Sequence, residues 1–108
     1  CLIAIPSAGF AMVELKVVSR GRKVRLSPHQ VAFNLKHGMM GMPAWILVQY
    51  HPKGTTKRTE IELRLYHGSQ VVDLVDKGID VPAVLRWPLP GIDWDRLRKQ
   101  LTEPYNNS

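Results

Sequence analysis

The four residues Ser27-Pro28-His29-Gln30 set a boundary that the rest of the chain must respect. A Ser at an N-cap accepts from first-turn amides, and a Pro at the first helical position gives up only an amide that has no partner there. A Gln three residues after the cap can bond back to the cap's own amide. The spacing predicts a helix from Pro28 to about His37, with Val31 and Leu35 as its apolar stripe and Gly38 as its C-terminal cap. Apolar runs lie on both sides. Met12-Val13-Glu14-Leu15-Lys16-Val17-Val18 is β-branched and apolar, without Gly or Pro, and reads as a strand. Ala44 to Tyr50 is apolar enough to be a central, parallel strand. Strand, helix and strand in this order read as a crossover unit.

The remaining elements follow from punctuation and periodicity. Cys1 to Ile5 is a short apolar run, and Pro6-Ser7-Ala8-Gly9 is a turn cluster. With Phe10 to Val18 as the second strand, the chain opens on a hairpin. Thr59 to Tyr66 alternates, Ile61, Leu63 and Leu65 on one face and Glu60, Glu62 and Arg64 on a wet one. Gly68-Ser69 turns the chain, and Gln70 to Leu74 reads as the returning arm of a hairpin. Asp76 to Val81 reads as irregular. Pro82, Pro88 and Pro90 argue against regular structure from Pro82 to Leu89. Gly91-Ile92-Asp93 caps a last helix from Trp94 to about Leu101, with Trp94, Leu97 and Leu101 as its stripe. Residues 1–101 form one domain, and 102–108 a flexible tail.

Composition narrows the classes. A chain of 108 residues holds one core, and 44% apolar content is ordinary for a globular protein. The net charge of +6 suits an anionic partner, nucleic acid foremost, or simply solubility. The lone cysteine, Cys1, excludes an internal disulfide framework and fits a reducing, cytoplasmic compartment. Its spacing to the four His matches no zinc site. No apolar run spans a membrane, and the apolar start lacks the basic flank of a signal peptide.

Chemistry concentrates at Glu14 and Lys16. Two apart on a strand, they share a face. A carboxylate can hold a hard divalent cation, and a neighbouring ammonium can steady charge on a phosphate. The plain alternative is a surface ion pair on an edge strand. Downstream lies the basic, glycine-bearing stretch Ser19 to Arg25, with Arg20, Arg22, Lys23 and Arg25. Lys36 and His37 could extend this basic track, while Lys53, Lys57 and Arg58 read as solvated surface. His29 and His37 are too far apart along a helix to share a metal. Met39, Met40 and Met42 read as a gap-filling turn, and Trp45, Trp87 and Trp94 as packing anchors.

The order of hairpin, Glu-x-Lys strand, basic loop, Leu26-Ser27-Pro28-His29-Gln30 and apolar strand resembles the PD-(D/E)xK nuclease superfamily. Within it, the small VRR-NUC and Holliday-junction-resolvase-like phage nucleases are the nearest in pattern. The likeness covers residues 1–50 well and the rest loosely. It implies an α/β fold with a restriction-endonuclease-like mixed central sheet flanked by helices, its first elements truncated. It implies Mg²⁺- or Mn²⁺-dependent hydrolysis of DNA phosphodiesters, directed by branched structure. Carried over, Glu14 is a metal ligand, the Leu15 main-chain carbonyl a second one, Lys16 the catalytic lysine and Gln30 a site-shaping residue. Arg20, Arg22, Lys23 and Arg25 grip DNA phosphates. Resolvase-like relatives pair, which implies a homodimer. The family also places an Asp on the preceding strand; no acid precedes Glu14 here, and the family spacing puts it directly before Cys1. A non-catalytic nucleic-acid-binding module of the same fold is the alternative, and a basic viral assembly protein a third reading.

Overall fold

The computed structural model describes residues 2–5, 9–19, 21, 23–52, 60–88, 91 and 93–102. Its elements run β1 (Leu2–Ile5), β2 (Gly9–Val18), α1 (Pro28–Met39), β3 (Ala44–Tyr50), β4 (Glu62–His67), α2 (Val71–Lys77), β5 (Leu85–Pro88) and α3 (Trp94–Thr102). The strands form one mixed sheet in the order β1-β2-β3-β4-β5. β1 pairs antiparallel with β2, with Leu2 opposite Met12. β2 and β3 are parallel, joined by α1, with Glu14 opposite Ile46 and Lys16 opposite Val48. β3–β4 and β4–β5 are antiparallel. The hairpin and the crossover stand where the sequence places them. Among the described residues, no helix is long and apolar enough to cross a membrane.

The sheet is covered on both faces. Ile46, Val48 and Tyr66 pack on one face with Val18, Val24, Val71, Leu74 and Ile79, and Val31 and Leu35 of α1 close over them. Ala11, Val13, Trp45 and Leu65 pack on the other with Leu97 and Leu101 of α3. The Trp45 indole N–H donates to the Leu101 carbonyl at 3.0 Å, fixing the end of α3 against β3. α3 reaches only part of that face. Leu15 and Val17 stay 60% and 63% exposed.

Several expectations are corrected. Val71 onward is a helix, not the returning arm of a hairpin. Val71, Leu74 and Val75 satisfy the helical spacing as well as a strand's composition, and a short apolar run does not separate the two. Leu85–Pro88 is a strand, within a segment expected to be irregular. It lies at the sheet's edge, where the missing proline N–H costs no ladder bond, and Pro88 is its last residue. The polar side of β4 is not wet. Arg64 and Glu62 are half-buried, the guanidinium donating to Glu62 and to the Ile79 carbonyl, both at 2.6 Å. Trp94, expected in the apolar stripe of α3, is 61% exposed, while Asp93 caps the helix by accepting from the Arg96 amide. The expected tail lies outside the described residues beyond Thr102, which closes α3.

Gly38 is not the cap of α1 either; the helix continues to Met39. Gly38 is buried because α1 crosses the turn after β4 at backbone distance. A Cβ on it would lie 2.2 Å from the Ser69 amide nitrogen. Gly68 is locked reciprocally, since its Cβ would sit 2.4 Å from the Asn34 carbonyl oxygen. Neither neighbour is a side chain that can swing away. Gly38→Ala is expected to cost about 1–3 kcal/mol, the usual range for overpacking, read as a lowered urea midpoint.

His67 holds the same turn. Its Nδ1 accepts from the Ser69 amide at 3.3 Å and lies 2.8 Å from the Ser69 hydroxyl, while Nε2 donates to the Met42 carbonyl at 3.3 Å. That arrangement requires the neutral ring, and burial pushes its pKa below the ordinary imidazole value. Unfolded, the ring takes up its proton near pH about 6.5. The contribution of His67 is therefore full above that pH and is lost as pH falls through it toward the lower folded value. Urea unfolding between neutral pH and about pH 5 should show this loss, and His67→Gln should flatten it.

Candidate nucleic-acid interface

Glu14 and Lys16 occupy alternate positions of β2, on the face that α1 covers. The parity is fixed by Val18, which is buried with the α1-side core. α1 begins where the sequence sets it, with Ser27 as N-cap and Pro28 first in the helix. The capping box is complete. The Ser27 hydroxyl accepts from the Gln30 amide at 3.2 Å, and the Gln30 carboxamide oxygen accepts from the Ser27 amide at 3.0 Å. The other end of the same carboxamide donates to the Glu14 carboxylate at 3.2 Å. Gln30 is thus a cap and a site residue at once.

Two recesses lie along β2, and this contact lines the first of them. The first, about 490 Å³, lies between β2 and the start of α1 and is walled by Met12, Glu14, His29, Gln30, Phe33 and Asn34. The second, about 300 Å³, lies past the end of β2 and is walled by Lys16, Val17, Val18, Ser19, Lys23 and Arg25. The sequence-predicted residues are brought to one face but shared between two hollows, Glu14 and Gln30 in one and Lys16, Lys23 and Arg25 in the other. Arg20 and Arg22 lie outside the described residues, as do Lys53, Lys57 and Arg58. His29, Phe33 and Asn34 were not foreseen as wall residues. Their positions relative to Gln30, one before and three and four after, trace one helix face, a signal the sequence carries. Asn34 is buried and donates to the Gln30 carbonyl at 2.8 Å, backing the site residue from inside the helix.

The Leu15 carbonyl points elsewhere. The Met12 amide donates to Pro43 and the Val18 carbonyl accepts from His51, so even-numbered residues of β2 bond toward β3. In a parallel ladder the residues between them turn the opposite way. The Leu15 carbonyl therefore lies in the sheet plane on the β1 side, while the Glu14 carboxylate rises from the α1 face.

No family model, curated protein or solved structure matches this chain.

A divalent ion must then be judged on donors alone. Among the described residues no group of three or more His, Cys, Asp or Glu side chains converges. Glu14 is a single carboxylate, with one oxygen already engaged by Gln30. Mg²⁺ demands near-octahedral oxygen ligation, anchored by one or two carboxylates and filled by waters and substrate phosphates. Here Glu14 is the one carboxylate on offer among these residues, and the Leu15 carbonyl faces another direction. The cationic recess differs. Among the described residues, Lys16, Lys23 and Arg25 form no ion pair with an acid. Uncompensated cations around a hollow suit an anion. Gln30→Ala removes the reciprocal half of the capping box and the tie to β2, while the Ser27 hydroxyl keeps its bond to the backbone amide at position 30. It should lower stability by about 1 kcal/mol in urea unfolding, and Gln30→Glu should retain the cap while placing a like charge against Glu14.

Proposed function

We propose that this protein binds nucleic acid through its phosphates, with Lys16, Lys23 and Arg25 as the grip. The observation that carries this reading is that Lys16, Lys23 and Arg25 line one recess. Contacts of this type give affinity without reading sequence, because every phosphate presents the same charge. Phe33 and His29 flank the neighbouring recess, with ring centroids of Phe33 and His37 4.1 Å apart, and offer aromatic faces at the same surface. The basic balance of the whole chain agrees. In this reading Glu14 and Gln30 order the start of α1, and no bond is broken.

One observation favours the second reading, the metal-dependent nuclease with a restriction-endonuclease-like fold. In the β1–β2 register Leu2 faces Met12. Were that register to continue, a residue directly before Cys1 would fall opposite Glu14 on the same face. This is where the family resemblance puts its first Asp. With such a residue, Glu14 would share a Mg²⁺ site and Lys16 would stand beside it. The ion would supply a water activated for attack on the phosphate.

Binding is tested by fluorescence anisotropy on single-stranded and four-way-junction DNA across a salt series. Affinity should fall with salt, and Lys16→Ala and Lys23→Ala should each reduce the log–log slope by about 1. Slopes that ignore both substitutions would sink the binding reading. Cleavage is tested with Mg²⁺ on the same junction, using the chain as it is and with Asp added directly before Cys1. Cutting by the extended chain that Lys16→Ala abolishes would establish the nuclease. Binding without cutting by either chain would leave the binder.

A further inference from the structure

The cationic recess is assembled by the fold from two separate stretches of chain. Lys16 and Ser19 come from β2 and the residue after it. Gly21 adopts φ +70°, a left-handed conformation that reverses the chain at low cost for a glycine. The returning segment is anchored by Val24, which is 2% exposed and packed in the core on the α1 side. In extended chain, neighbours on either side of a residue turn opposite to it. With Val24 held inward, Lys23 and Arg25 are both turned outward, and both wall the recess that Lys16 walls from the strand. The backbone positions of the three residues are therefore set by a buried anchor and a sheet.

We propose that this recess takes a phosphomonoester dianion, presented by the phosphorylated end of a nucleic-acid strand. A diester in mid-strand carries one negative charge and must leave the recess by two ester arms. A monoester carries nearly two charges above pH about 6 and leaves by one arm. Three cations facing a hollow of about 300 Å³ match the more highly charged and more compact of the two. The Ser19 hydroxyl adds a neutral donor at the rim. The origin of the phosphate rests on the nucleic-acid reading above, whereas the phosphate site rests on the recess itself.

The test uses the full chain and two probes. The first is a short single-stranded DNA, labelled internally, bearing a 5′-phosphate, a 3′-phosphate or only hydroxyl ends, followed by anisotropy. The second is inorganic phosphate, titrated at constant ionic strength and followed by amide NMR shifts. One phosphorylated end is expected to bind about tenfold tighter than the hydroxyl-ended strand, a difference of about 1.4 kcal/mol. A Lys23→Gln/Arg25→Gln double variant, both residues being exposed, should erase that ratio with its fold intact by circular dichroism. Lys77→Gln, at the far end of α2, should leave it unchanged. Inorganic phosphate should move the amides of Lys16, Ser19, Lys23 and Arg25. Equal affinity for phosphorylated and hydroxyl ends overturns the proposal, as does a preference that survives the double variant. If inorganic phosphate moves those amides while no strand binds, the nucleic-acid origin is overturned and the recess belongs to small phosphate esters.

Discussion

One carboxamide ties the parts of the interface together. Gln30 accepts from the Ser27 amide with its oxygen and donates to the Glu14 carboxylate with its nitrogen. An amide group has one end of each kind, so both demands are met without rotation or a change of protonation. A Glu could close the cap but would repel Glu14, and a Ser could not reach it. The bond to β2 stops the first turn of α1 from drifting over the sheet. That turn is one wall of the first recess. Local helix chemistry, which needs only four consecutive residues, thereby fixes a contact between positions sixteen residues apart.

The division of Glu14 from Lys16 is what gives the interface its character. On the strand the two residues look like a unit. In the fold they face the same way, yet each joins different company. Glu14 is drawn to an amide donor at the helix start, while Lys16 faces the basic return that ends at Arg25. The same face of one strand thus carries an ordered acid next to a group of cations without acidic partners among the described residues. That asymmetry makes anion binding the simplest chemistry for the site as it stands.

Much of this was legible in the sequence, and the reason is locality. The β1–β2 hairpin, the β2–α1–β3 crossover and the capping box depend on residues close in the chain, and their signals are strong. The contact of Gln30 with the strand site was open to inference, because a helix starting at Pro28 and packing on β2 brings its first turn there. The illegible parts depend on distant partners. Val71 to Lys77 is compatible with strand or helix until Val71 and Leu74 find the α1-side core. Leu85 to Pro88 becomes a strand only because β4 offers an open edge. Arg64 looks solvated in an alternating pattern, yet its guanidinium lies over the Tyr50 ring at 5.2 Å and caps the Ile79 carbonyl. No period in the sequence announces that the carbonyl will be there.

The crossing of Gly38 over Gly68 also has a consequence for the order in which the molecule is built. The cap at Ser27 and the turns of α1 need only their own stretch of chain, so the helix can begin as soon as that stretch exists. Its seat does not exist until the turn after β4 has formed, thirty residues later in the chain. A polypeptide that reaches only β3 lacks the surface that fixes the helix's height above the sheet. The recess bordered by α1, whose walls all precede Ala44, thus owes the seat of its helix to a segment that lines none of it.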